Sequence, residues 1–371
     1  MNRRFVIIII GVFVVGGAAV LFFPSIKRFP FRPTETQLPV VSQPVVEEEI
    51  VAENLEIPWE IAFLPNGEFL VTERPGRLLK IGATRAVIPI DGVRHTGEGG
   101  LLGMALHPFF ENNQWVYLYL TTKTENGLRN RVERYRLVGD HVEDRTVILD
   151  NIPGASFHDG GRIAFGPDGL LYITTGDASV PGNAQDKRSL AGKILRVRDD
   201  GSIPDNPFGT AVYSYGHRNP QGLAWDSEGR LWATEHGRSG VQSGLDELNL
   251  VEPGANYGWP VIQGDEERAW MRRPVIHSGS DETWAPSGAI MERDRIWFAG
   301  LRGEALYEAV LDGKQVKELK VHLREKYGRL RTVRVGSDGY FYLLTSNRDG
   351  RGTVREGDDK IIRVHPRVLG L

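Results

Sequence analysis

The chain contains no cysteine, which removes disulfides, thiol nucleophiles and thiolate metal sites from consideration. Nor does it carry an excess of one charge. Its 45 Lys and Arg residues stand against 48 Asp and Glu, a formal net charge of −3, and that balance argues against nucleic acid as a partner. Helical periodicity is missing throughout the part that follows the N-terminal stretch. Long apolar runs are absent too, with one exception. From Phe5 to Phe23 no charge occurs, and Arg3 and Arg4 precede the run. A bilayer core needs about 20 apolar residues, whereas a secretory signal has a core of about 7 to 15 and a small-residue cleavage site. The run exceeds the second pattern and offers no clear cleavage site, so residues 1–28 are expected to be an uncleaved signal-anchor in the cell membrane. Lys27, Arg28 and Arg32 follow it, but large domains translocate largely regardless of such charges. The remainder is therefore expected on the periplasmic or extracellular side, or secreted if the segment is removed.

What the chain does have is turn residues. It holds 44 glycines and 21 prolines in 371 residues, a composition suited to a turn-rich β protein. Residues 29–49 are rich in Pro, Thr, Gln and Val, end in glutamates and read as an extended linker. After them one pattern recurs: IAFLPNGEFLVTER from Ile61, MALHPFFENNQWVYLYLT from Met104, IAFGPDGLLYITTGD from Ile163, LAWDSEGRLWATEHG from Leu223, IMERDRIWFAG from Ile290 and VRVGSDGYFYLLTSN from Val333. Each is a hairpin signal of alternating apolar residues around a turn. Most are followed by a further short apolar strand, as in GRLLKI at Gly76, GKILRVR at Gly192 and DKIIRV at Asp359. Repeats of short antiparallel strands without helices mean a solenoid or a propeller, and closing the ring removes exposed edges. The expectation is an all-β, six-bladed β-propeller over residues 50–371, with a strand near Ile50–Leu55 latching the last blade.

Chemistry is expected on the loops around the propeller axis. In FHDGGR, His158 precedes a glycine pair at the start of a strand, although a lone histidine is more often a packed or surface residue. Glu98 lies in TGEGGLLGMALHP, which by itself suits a tight turn. YGHRNPQG places the planar donors Arg218 and Asn219 before a turn, where an anionic or carbonyl ligand could be held. EHGRSGVQSGLDELN offers the carbonyls of Gly237 and Arg238 and the carboxylates Asp246 and Glu247, with Tyr257 nearby in NYGWP. Oxygen donors of this kind suit Ca2+, and solvated acidic loops are also common. Arg302 in FAGLRG and the pair Arg329 and Arg331 in GRLRTV add cations that serve equally to clamp carboxylates or to form a solvated basic edge.

The motifs GEGGLLGMALHP, FHDGGR, GDAS, GHRNPQGLAW, EHG, LDELNL, NYGWP and GRLRTV, in that order from about Leu55 to Val364, resemble those of the soluble quinoprotein aldose sugar dehydrogenases, relatives of soluble glucose dehydrogenase. The resemblance implies a six-bladed propeller that oxidises the anomeric hydroxyl of aldoses to the lactone. Hydride would pass to pyrroloquinoline quinone (PQQ) with Ca2+ assistance, and then to an external acceptor, a quinone or a redox protein. It implies His158 as general base, Arg218 and Asn219 on the cofactor with Arg218 near its reducible oxygens, Glu98 close by, Arg302 where the family has Lys or Arg, and Arg329 and Arg331 on the carboxylates. It implies Gly237 and Arg238 as carbonyl ligands of a catalytic Ca2+, and Glu247 and Tyr257 as ligands of a structural one.

Two departures stand out. The glucose-specific branch has Asp directly before the base, where this chain has Phe157, so an orienting carboxylate has to come from elsewhere, with Asp159 the candidate. The chain is also shorter than that branch and lacks its dimer-forming insertions, so a monomer of the broader aldose branch is expected. Other six-bladed propellers are Ca2+-dependent lactonases or non-catalytic binding modules. A lactonase needs several side-chain carboxylates on one axial metal, and a binding module has no need of His158 or the arginines.

Overall fold

The computed structural model describes residues 46–240 and 243–371; the expected anchor, and the linker up to residue 45, lie outside the described residues. The described chain forms six four-stranded antiparallel sheets. Blade I runs from β2 (Pro58–Phe63) to β5 (Arg85–Pro89), blade II from β6 (Leu101–Leu106) to β9 (His141–Pro153), and blade III from β10 (Ile163–Phe165) to β13 (Val212–Tyr215). Blade IV runs from β14 (Pro220–Trp225) to β17 (Ile276–His277) and blade V from β18 (Pro286–Glu292) to β21 (Gln315–His322). Blade VI takes β22 (Leu330–Val335), β23 (Phe341–Thr345) and β24 (Ile361–Val364) from the end of the chain and β1 (Glu48–Ala52) from its beginning. Every hairpin picked out by sequence is the inner pair of a blade, and the apolar strand after it is the third.

The latch is also found. β1 pairs antiparallel with β24, with Glu48 opposite Val364 and Ile50 opposite Ile362. The propeller's first strand thus starts at Glu48 rather than at Ile50, because Glu48 and Glu49 already stand in register with Val364 and Arg363 in the ladder. Glu48 is fixed further by Tyr327, whose hydroxyl donates to Oε2 at 2.6 Å.

Successive side chains of a strand point to opposite faces, and here each face meets a different neighbour. Leu70 and Leu78 pack toward blade II with Leu118 and Val116, while Val71 and Leu79 pack toward blade VI with Leu344 and Ile361. Six apolar clusters arise in this way, one between each pair of adjacent blades. The axis itself is polar. Arg162, fully buried, donates from Nε to the Gln221 carbonyl at 2.8 Å and from Nη2 to Thr332 Oγ1 at 3.1 Å, and pairs through Nη1 with Glu60. Arg334 joins from blade VI at 2.6 Å to the same carboxylate, and the Arg162 guanidinium lies 4.1 Å from the centre of the Trp59 ring. One carboxylate thereby ties blades I, III and VI.

Removing one member of a buried ion pair leaves the other uncompensated, at a cost of about 3–5 kcal/mol. Glu60→Gln is therefore expected to lower unfolding free energy by about that amount in denaturant titrations, and an unchanged midpoint would show that Arg162 does not depend on this carboxylate.

Candidate active site

The site lies at the axial end where the chain enters each blade and where second strands turn into third. His158 sits just before β10 with φ of 63°, a left-handed conformation that side-chain-bearing residues seldom adopt and that needs holding from outside. Its N–H donates to Glu98 Oε2 at 2.9 Å, and its carbonyl accepts from the Ala178 N–H at 3.2 Å. Space for this turn depends on Gly176, where a Cβ would come within 2.0 Å of the His158 carbonyl oxygen. The imidazole Nδ1 is 2.8 Å from Asp177 Oδ1. That carboxylate is fully buried and also accepts from Ser179 N at 2.8 Å and from Trp259 Nε1 at 2.8 Å.

The orienting carboxylate is thus Asp177, from the GDAS motif at the end of β11 (Leu171–Thr175), and not Asp159. Asp159 turns the other way, accepting from Asn130 Nδ2 at 2.8 Å and Ala155 N at 3.1 Å. Burial pushes its carboxyl up to about 6, against the lowering effect of those two donors.

His158 lines a cavity of about 510 Å³ with Glu98, Arg218, Gly237, Arg238, Arg302 and Arg329. An adjoining cavity of about 190 Å³ shares Glu98, Phe157, His236, Leu301 and Arg351 with it and adds Arg74, Arg331 and Asp349. The structure therefore brings together most of the candidates expected from sequence. Arg329 donates from Nη2 to Asp349 at 2.8 Å. Arg331 donates from Nη1 to Gln221 Oε1 at 2.7 Å, and burial pulls its guanidinium down to about 9. Arg218 donates to Ser239 Oγ at 2.9 Å, lies 5.3 Å from the Trp259 ring centre, and burial lowers its pKa as well. Arg302 is exposed at the rim.

Asn219 stands behind the cavity wall, where Oδ1 accepts from Gly160 N at 2.9 Å. Glu247 and Tyr257 face a separate small void, shared with Glu235, His236 and Gly237. Burial, then the neighbouring Glu235, raise the Glu247 carboxyl. The Tyr257 hydroxyl is committed to the Leu250 carbonyl at 2.6 Å and the Glu252 N–H at 2.8 Å, so a ligand role would fall to its backbone carbonyl.

Sequence reasoning passed over Arg74, His236 and Arg351. His236 was within reach, since it lies in the EHG motif. Burial pushes its imidazole down to about 3, so it is neutral, and its Nε2 is buried with no partner among the described residues. The same holds for Nε of Arg74, Arg218, Arg238 and Arg331 and for Nδ2 of Asn219. Buried polar atoms are nearly always paired, so unmet guanidinium donors on the walls of the two adjoining cavities fit an acceptor-rich anionic guest. The Gly237–Arg238 turn is pinned beside it by Asp246, which accepts from Gly237 N at 2.8 Å and Trp284 N at 2.7 Å. Its carbonyls provide the hard oxygen donors that Ca2+ takes. Among the described residues no group of three or more His, Asp or Glu side chains could hold a metal.

A carboxylate-held histidine beside a guanidinium-lined cavity, at the axial end of a six-bladed propeller, sets out a propeller with a base and an anion-binding pocket on one axis. The glucose/sorbosone dehydrogenase model matches residues 55–361, and the chain belongs to that family. It is 30% identical to the aldose sugar dehydrogenase YliI of Escherichia coli, over 87% of this chain and 93% of that protein. It is 34% identical to quinoprotein glucose dehydrogenase B of Acinetobacter calcoaceticus, over 59% of this chain and 53% of that one. The PQQ-bound form of aldose sugar dehydrogenase from Streptomyces coelicolor superposes with a TM-score of 0.79 and 41% identity, covering 85% of this chain and 96% of the other.

Glu98 sets a pH-dependent contribution to stability. Burial raises its carboxyl, but Arg351, bonded at 2.7 Å, and the His158 N–H outweigh that and hold it at about 2, against an ordinary 4.5. A carboxyl depressed on folding stabilises above its unfolded pKa and loses that contribution as pH falls through the folded one. The stability difference between wild type and Glu98→Gln is expected to be full at neutral pH and to shrink between about 4.5 and about 2. A difference independent of pH in thermal melts would contradict this ionic arrangement.

Proposed function

We propose that the chain is a PQQ-dependent aldose sugar dehydrogenase, oxidising the anomeric hydroxyl of aldoses to the lactone. The observation that carries the reading is the His158–Asp177 pair opening onto a cavity walled by guanidiniums with unpaired buried donors. When bound, PQQ supplies the two-electron acceptor that takes the hydride from the sugar. Its three carboxylates suit Arg329, Arg331 and Arg302, with Arg74 close by. Arg218 would also hold the cofactor from the cavity wall, with Asn219 behind that wall on the Gly160 N–H and Glu98 on the His158 N–H.

His158 works from its own hydrogen bond. Nδ1 keeps its proton toward Asp177, which leaves Nε2 as the unprotonated nitrogen that accepts the proton of the anomeric hydroxyl. The buried Asp177 offsets the charge the imidazole then gains, and Trp259 and Ser179 keep that carboxylate in place. The carbonyls of Gly237 and Arg238 would hold Ca2+, a Lewis acid in that position, and Glu247 with the Tyr257 carbonyl would hold a structural Ca2+. The final acceptor would be an external quinone or redox protein. The propeller lies outside the cytoplasmic membrane, tethered through residues 1–28, which the uncharged run Phe5–Phe23 supports, and acts as a monomer, in keeping with the shorter chain without the dimer-forming insertions.

The full chain, stripped of divalent ions and titrated with PQQ while cofactor absorbance is followed, is expected to bind at micromolar concentration with Ca2+ and at least tenfold more weakly with a chelator. Addition of an aldose and an artificial acceptor should then reduce the acceptor. No binding at micromolar PQQ would overturn the proposal.

A further inference from the structure

Phe157 is placed unlike the other large apolar side chains. It is 48% exposed, belongs to none of the six interblade clusters, and lines both adjoining cavities directly beside His158. Single exposed apolar residues are ordinary on protein surfaces, so exposure alone decides nothing. Its surroundings do more. The Phe157 carbonyl accepts from Ser179 Oγ at 3.2 Å, and the next N–H is held by Glu98. The segment is thus fixed at two points, and the ring and the imidazole leave it in a set relation. The Arg351 guanidinium, itself bonded to Glu98 at 2.7 Å, lies 5.6 Å from the ring centre, which restrains the ring without burying it.

Around it Glu98, Ser179, Arg218 and Arg302 offer hydrogen bonds and Ala285 and the buried Leu301 add aliphatic surface, but among the residues lining either cavity Phe157 is the one phenyl, phenol or indole ring. A sugar ring needs both. Its hydroxyls point outward, while its ring faces carry C–H bonds whose positive edges complement the negative face of an arene.

We propose that Phe157 contacts substrate, as a platform on which the C–H face of the aldose ring stacks while the anomeric hydroxyl reaches His158. The inference rests on the dehydrogenase reading. Stacking registers the presence of a ring face and not the configuration of a given hydroxyl. Phe157 therefore raises affinity for aldoses in general and discriminates little between epimers.

The test uses the full chain loaded with PQQ and Ca2+, with glucose, galactose and xylose as substrates. Phe157→Ala and Phe157→Leu are expected to raise KM for all three by a similar factor of about 3 to 10, with the loss carried by KM far more than by kcat. Phe157→Tyr and Phe157→Trp, which keep a ring, should hold KM within about twofold of wild type. Leu separates loss of the arene from loss of bulk, and thermal melts with PQQ titration establish that each variant is folded and loaded. An unchanged KM in Ala and Leu, a rise confined to one epimer, or an equal rise in Tyr and Trp overturns the inference while leaving the dehydrogenase reading intact. A loaded wild type that oxidises none of the three sugars overturns both.

Discussion

Everything in this molecule depends on closing the ring. Each blade buries its two faces against its neighbours, so no blade has a core of its own, and the six interblade clusters exist together once the last blade meets the first. The pairing of β1 with β24 makes that closure from opposite ends of the folded chain. Closure also forces inner strands to converge on one axis, and that convergence explains the site. Residues far apart in sequence, such as Glu98, His158, Arg218 and Arg351, meet because the loops carrying them have nowhere else to go.

Convergence concentrates charge. Near the axis, Arg162 and Arg334 share Glu60, and toward the open end Arg74, Arg218, Arg329 and Arg331 gather around the cavities with Glu98, Asp246 and Asp349 as counter-charges. The guanidiniums outnumber the carboxylates, and burial pulls several of them down. Such an arrangement is costly unless a guest brings negative charge. The same electrostatics that disfavour the empty cavity therefore favour a polyanionic cofactor, which links stability to function in one physical term. Within this field the neutral His236 adds no charge, and the buried Asp177 gives His158 a counter-charge of its own.

The fold was legible because its signals are local. Each inner hairpin announces itself through a turn such as Pro65-Asn66-Gly67 or Pro167-Asp168-Gly169 between alternating apolar residues, and even the latch strand could be read. The site was legible in part. His158, Arg218, Arg302, Arg329 and Arg331 were marked by motifs, and the structure gathers them around two adjoining cavities. The partner of His158 was not legible, because proximity in sequence favours Asp159. The left-handed turn at His158 and the hairpin formed by β10 and β11 instead place Asp177 against the imidazole, while Asp159 bonds to Asn130. Trp259 was hidden for a related reason: its long loop leaves blade IV and bonds across to the segments of blade III at Gly216 and Asp177. Arg74 and Arg351 come from two further loops, and no local pattern distinguishes them from solvated charges, whereas His236 lies in the EHG motif beside Gly237.

The central claim is that Asp177 holds His158 in the form that accepts the substrate proton. Its most direct test is kcat of Asp177→Asn, loaded with PQQ to the wild-type level, beside Asp159→Asn under the same conditions. Asp177→Asn is expected to lose on the order of 10²-fold or more with cofactor affinity retained, and Asp159→Asn far less. Near-wild-type turnover in Asp177→Asn, or a larger loss in Asp159→Asn, would contradict it.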